Sequence, residues 1–293
     1  MSNEQTGILA PLPKLARYLS FELAESETAR ESLEALQEIA DGHEVVVGIG
    51  QSLTLALGAE IPGLTILPAR ACVGFDIPST PAALWCWLRG EDRGELFHLS
   101  RRIEIALSDA FRMIHSADGF KYDEGRDLSG YIDGTENPEG DEARAVALTG
   151  ADEAAPTDSS FVAVQMWEHD FDQLDTYSRE EQDDIIGRRL SDNEEMEEAP
   201  AYAHVKRTAQ ESFEPEAFML RRSMPWSHGE QGGFIFVAFG HSLHAFQAAL
   251  DRMAGVEDGI ADGLFRFTRP RTGAYFWCPP MRDGRLDFSA LGI

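Results

Sequence analysis

The chain runs through one order of secondary-structure signals twice, and that doubling limits its possible folds more than any other feature. In the first half, "ARYLSFEL" (16–23) alternates apolar and polar residues as a half-buried strand does. "SETARESLEALQEIA" (26–40) opens on a Ser cap and carries apolar residues at helical spacing. "EVVVGIG" (44–50) and "AALWCWLRG" (82–90) read as strands, and "RGELFHLSRRIEIALSDAF" (93–111) as a second amphipathic helix. The second half follows suit. A strand over 161–170 and a capped helix over 178–190 precede strands over 217–224 and 233–240, a helix over 241–255 and a last strand over 273–280. This is the split βαβ order of a ferredoxin-like unit, written twice. The expected fold class is α+β with two ferredoxin-like domains. Residues 1–140 form the N-terminal one, 141–160 an acidic linker and 161–293 the C-terminal one.

Composition removes several function classes. Hydrophobic residues make up 43% of the 293, enough for a sizeable core. The formal net charge is −26, from 51 Asp and Glu against 25 Lys and Arg. A field of that sign repels phosphates, so neither nucleic acid nor an anionic membrane is an expected partner. Cys72, Cys86 and Cys278 form no CxxC pair, which argues against a disulfide framework and against a thiolate metal site. With no signal-peptide pattern at the start and no apolar run of spanning length, the expected location is the cytoplasm.

The candidate chemistry gathers around a turn-rich connection, roughly 117–160. Within it, "SGYIDGTENP" (129–138) sets one carboxylate, Asp133, between glycines. Taken alone the stretch is a turn, because Gly tolerates positive φ and Asx side chains bond back to the backbone. Elsewhere, "VVVGIGQSL" lacks the third glycine of a dinucleotide fingerprint, with Leu53 in its place. His241 and His244 have no visible third ligand, and His169 reads as a structural strand end. His204, in "PAYAHVKRT" (200–208), follows an acidic loop and enters a short segment of its own. Further on, "MLRRSMPW" (219–226) puts Arg221 and Ser223 on one strand face and Arg222 on the other. A guanidinium and a hydroxyl facing inward need an anion or polar ligand beside them.

Together these segments resemble a known family. "GYIDGTENP" resembles the GxxDG signature of the dye-decolourising peroxidases, here Gly130, Asp133 and Gly134. "TGILAPLPKLARYL", "WLRGEDRGEL", "HVKRT", "LRRSMPW" and "LFRFTRPRTGAYFWCPP" follow in the order of its bacterial B-type branch, so the resemblance covers nearly the whole chain. It implies a DyP-type α+β barrel or sandwich of antiparallel sheets with helices, and one haem b held mainly by the C-terminal domain. It implies a haem-dependent peroxidase that uses hydrogen peroxide to oxidise small aromatic electron donors (phenolic, dye-like or porphyrinogen) through a ferryl intermediate. The alternative is a haem-handling protein, a carrier or iron-release activity with little turnover.

The resemblance also assigns residues. His204 matches the axial ligand of the haem iron, and Asp133, Arg221 and Ser223 match the catalytic distal groups. Phe236 matches a distal aromatic, and Asp262, with Asp258 as the competing choice, the acid behind the axial histidine. Gly130 and Gly134 are expected to let the backbone approach the porphyrin edge, Ile132, Thr135, Glu136 and Asn137 to line the haem, and Arg207 to pair with a propionate. Tyr131, Trp167, Trp226, Tyr275 and Trp277 are candidates for carrying electrons to bulky donors. The family habit is a homo-oligomer, dimer or higher. Some relatives travel in an encapsulin shell, which is not expected here because no flexible extension precedes the closing "LGI".

Overall fold

The computed structural model describes residues 3–293. Its first half contains β1 (Leu15–Leu23), α1 (Ala29–Gln37), β2 (Val45–Ile49), α2 (Gln51–Ala56), β3 (Arg70–Cys72), β4 (Phe75–Ile77), β5 (Leu84–Gly90), α3 (Arg93–Leu107) and β6 (Phe111–Phe120). A connection carrying α4 (Gly140–Ala147) leads to β7 (Ser160–His169), α5 (Phe171–Asp175), α6 (Arg179–Ile186) and α7 (His204–Arg207). Then come β8 (Leu220–Arg221), β9 (Met224–His228), β10 (Gln231–Gly240), α8 (His244–Met253), β11 (Thr268–Pro270), β12 (Ala274–Cys278) and a small hairpin, β13 (Met281–Arg282) with β14 (Arg285–Leu286).

The long strands of each half pair in ferredoxin-like order. In the first half β6, β1, β5 and β2 lie side by side, and in the second β9, β10, β7 and β12 do, every pairing antiparallel. Single contacts, Ile49 with Trp277 and Gly119 with Trp226, join the two halves. Because β7 also pairs with β10, the ring β7-β12-β2-β5-β1-β6-β9-β10 closes into a barrel. Strand alternation then sorts side chains into two cores. Inside the ring, Tyr18, Trp85, Trp87, Ile235, Val237, Phe239 and Phe276 pack together. Outside it, Leu33, Leu36, Ile103, Leu107, Phe246 and Leu250 dock the helices onto the sheet. Among the described residues no helix is long and apolar enough to cross a membrane.

The expectation of two ferredoxin-like units holds, with shorter elements. The helix expected over 93–111 ends at Leu107, and Phe111–Phe120, expected to lie partly in the connection, is instead the edge strand of the first unit. Its residues alternate weakly in polarity, and it is defined by pairing along all of β1. The strand expected over 217–224 is split, with Arg222 and Ser223 between β8 and β9. The helix expected over 178–190 stops at Gly187, whose φ of +90° forms a left-handed cap.

Candidate active site

An apolar cavity lies on the outer face of β7 and β10, enclosing about 1040 Å³ with its open mouth included. Alternate residues of these strands, Gln165, Trp167 and His169 with Phe234 and Phe236, form its floor, while Ile235 and Val237 between them belong to the barrel interior. Phe246, Leu250 and Met253 of α8 close one side. His204 and Thr208 stand at another, and the loop Asp127–Asp133 covers the cavity next to Arg221.

His204 is positioned by close backbone packing. Gly263 donates its N–H to the Tyr202 carbonyl at 2.7 Å, and a Cβ at Gly263 would meet the carbonyl oxygens of Ile185 and Tyr202 at 2.9 and 3.1 Å. Only glycine permits that approach, and it sets Asp262 beside His204. The His204 Nδ1–H donates to Asp262 Oδ2 at 2.8 Å, and Asp262 Oδ1 accepts the Leu264 N–H at 2.8 Å. Asp262 is 2% exposed. An acceptor-only carboxylate fixes the proton on Nδ1, so Nε2 presents its lone pair, as metal-ligating histidines with a carboxylate behind them do. The rival acid, Asp258, is occupied elsewhere. Its two oxygens take Arg207 Nη1 and Nη2 at 2.7 and 2.9 Å, and Arg207 draws its carboxyl down to about 2.

Asp133 and Arg221 face each other with Nη1 and Oδ1 3.8 Å apart. That exceeds a hydrogen bond, so both groups keep free capacity toward a small molecule between them. Asn137 clamps the Arg221 backbone, its Oδ1 accepting the N–H at 2.8 Å and its Nδ2 donating to the carbonyl at 3.0 Å. Beneath, Tyr131 donates to Asp183 Oδ1 at 2.6 Å and ties the same loop to α6.

Several expected site residues lie elsewhere. Ser223 does not line the cavity; it is 4% exposed and its Oγ accepts the Val237 N–H at 3.2 Å, filling the gap between β8 and β9. Arg207 gives both terminal nitrogens to Asp258 and the Arg252 carbonyl and does not line the cavity, away from the expected propionate. Thr135 accepts from Asn193 and Glu136 pairs with Arg188 at the surface, and neither lines the cavity; nor does Asn137. Gly130 and Gly134 are not in the lining either. Their φ of +95° and +82° show that the turn itself requires glycine. Ile132 and Phe236 do line it. Of the aromatic candidates only Tyr131 and Trp167 reach the cavity, and Trp226, Tyr275 and Trp277 are buried in the cores. Arg222 points away from Arg221 and donates to the carbonyls of Ile8 and Leu9, and burial pushes its pKa down to about 10.

The residues fit a haem. The floor and α8 supply apolar faces, and among the described residues His204 Nε2 has no partner. Arg221 Nε and Gln165 Nε2 are buried donors at the cavity wall without a partner among the described residues, which an oxygen-bearing occupant would relieve. Sequence reasoning passed over Gln165 and Asp127 and read His169 as a structural strand end; the pairing of His169 with Asp127 shows only in the fold.

Two ferredoxin-like sheets closed into one barrel carry, on one cavity, a carboxylate-backed histidine and an acid–arginine pair. The comparisons agree. A family model described as Dyp-type peroxidase, C-terminal, matches residues 124–283. A dye-decolorizing peroxidase of Rhodococcus erythropolis is 31% identical over 248 residues, 82% of this chain and 73% of that protein. Another, from Brevibacterium linens, is 31% identical over 208 residues, 69% of this chain and 57% of that protein. A solved DypB variant from Rhodococcus jostii RHA1, in complex with heme, superposes with a TM-score of 0.85 at 26% identity, covering 96% of this chain and 97% of that one. The chain belongs to the Dyp-type peroxidase family.

Proposed function

We propose that this chain is a haem b peroxidase that reduces hydrogen peroxide and oxidises small aromatic donors. The observation that carries it is the Asp133–Arg221 pair facing the same cavity as His204. A haem carrier would need the histidine alone. When bound through His204 Nε2, haem iron supplies an open coordination position and the electrons for O–O cleavage.

The protein's own groups supply the rest. Asp262 holds the Nδ1 proton and raises the donor strength of Nε2. Asp133 accepts a proton from the near oxygen of peroxide and returns it to the departing oxygen, leaving as water. Arg221, 3.8 Å from Asp133, donates to the charge that grows on the departing oxygen. Asn137 keeps Arg221 in place through its backbone. Phe234, Phe236 and Phe246 exclude bulk water from the exchange.

The support for a cytoplasmic location is that Cys86 and Cys278 are buried free thiols. A homo-oligomer, the family habit, completes the proposal. The test is a haem titration of the full chain followed by steady-state oxidation of a phenolic donor. Activity saturating at one haem per chain, and abolished in His204→Ala, is the expected result. Haem bound through His204 without peroxide-dependent turnover would favour a haem-handling role.

A further inference from the structure

His169 ends β7 at the cavity wall, where the mechanism gives it no task. Its side chain is 5% exposed, and the ring lies edge-on to Phe171 and Phe267. Both ring nitrogens are engaged. Nε2 lies 2.8 Å from Asp127 Oδ1, and Nδ1 lies 2.7 Å from Thr268 Oγ1. The Thr268 hydroxyl has one hydrogen, with Nδ1 at 2.7 Å and the Glu168 carbonyl at 3.0 Å both in reach. An ionised Asp127 only accepts, so Nε2 carries the hydrogen between them. Burial pushes the Asp127 carboxyl up, but the His169 charge and hydrogen bond, with the Ser129 bonds, outweigh it and leave it below the usual range.

Asp127 opens the hairpin that carries Asp133. Its N–H donates to the Tyr131 carbonyl at 2.8 Å, its carbonyl accepts from Gly130 at 2.9 Å, and its Oδ2 accepts from Ser129 at 2.9 Å. Arg126 bridges Ile132, and the Asp133 N–H donates to the Gly125 carbonyl at 3.1 Å. A group that grips Asp127 therefore grips the base of Asp133, six residues along but across a two-stranded turn.

We infer that His169, clasped between Asp127 and Thr268, is a positioning residue that pins the Asp133 hairpin to the C-terminal sheet. The role in peroxide chemistry rests on the peroxidase reading; the clasp itself does not. The pin joins the connection between the halves to β7 and β11, so it sets the distance at which Asp133 meets Arg221. The His204–Asp262 pair is separate from it.

The test uses the haem-loaded full chain. Nitrogen-15 NMR of selectively labelled histidine should show a hydrogen on His169 Nε2 at pH 7; a ring protonated at Nδ1 alone overturns the inference. In His169→Leu, trypsin should cut after Arg126 at least fivefold faster, and the rate of reaction with one equivalent of peroxide should fall about ten- to a hundredfold. His169→Gln, which restores a neutral donor toward Asp127, should recover part of both. A hairpin as protected as in the wild type, or a peroxide rate unchanged in His169→Leu, would refute the positioning role. Should the wild type itself ignore peroxide, the peroxidase reading fails, and the NMR and cleavage results still decide the clasp.

Discussion

Replacing Asp262 by Asn tests how the protein prepares its histidine. Asp262 divides its oxygens, Oδ2 taking the His204 Nδ1–H and Oδ1 the Leu264 N–H, each at 2.8 Å. An amide cannot accept twice with separate atoms. If the Asn oxygen keeps the Leu264 cap, its NH₂ faces Nδ1, which must then accept, and the ring proton moves to Nε2, the nitrogen that ligation needs. If the oxygen turns to Nδ1 instead, the Leu264 N–H loses its cap. The lost charge-assisted bond is worth about 1.5–3 kcal/mol. At about 1.4 kcal/mol per decade that is roughly ten- to a hundredfold in affinity, the range found when carboxylates behind metal-bound histidines are removed. Fold stability should fall far less, because Asn still caps the 3-10 turn Gly263–Arg266. The assay is the rate of haem transfer to excess apomyoglobin, followed in the Soret band, with Asp258→Asn as control. Transfer within twofold of wild type would refute the reasoning, as would an equal effect in Asp258→Asn.

Further predictions follow from the same geometry. Asn137→Leu should lower the peroxide rate about tenfold with haem affinity intact, because two bonds holding the Arg221 backbone are lost while the cavity lining is untouched; stopped-flow and haem titration separate the two. Gly187→Ala should destabilise by at least about 1 kcal/mol from the left-handed cap alone, since φ is +90°, and its Cβ would meet a Val205 methyl at 2.3 Å; urea unfolding measures it. Asp258 has a folded pKa below its ordinary 3.8, so the stability it contributes is complete above that value and is lost as pH falls toward about 2. Thermal melts of Asp258→Asn should accordingly show a shallower decline between pH 4 and 2 than the wild type.

The frame was legible because its signals are local. Strand alternation at 16–23 and 161–170, capped helices between strands and a turn-rich connection suffice to order two ferredoxin-like units. The edge strand Phe111–Phe120 was less so, because "FRMIHSADGF" has no clean period and owes its state to β1. Closure into a barrel depends on β7 pairing with β10 and on two single-residue contacts, none of which leaves a periodic trace. In the site, motif resemblance selected His204, Asp133 and Arg221. It could not say that Ser223 would fill a break in the sheet, nor that Arg207 would close on Asp258, because both depend on partners more than ten residues away. His169 and Asp127 were hidden for the same reason, being 42 residues apart and adjacent only after folding.

The most direct measurement is single-turnover stopped-flow absorbance of the haem-loaded protein with one equivalent of hydrogen peroxide, comparing wild type with Arg221→Ala, Asp133→Ala and His204→Ala. The account predicts a fast Soret change in the wild type that a phenolic donor reverses, a rate at least a hundredfold lower in Arg221→Ala or Asp133→Ala with normal haem content, and loss of the haem spectrum in His204→Ala. A wild-type Soret band that ignores peroxide, or distal variants that react as fast as the wild type, would contradict it.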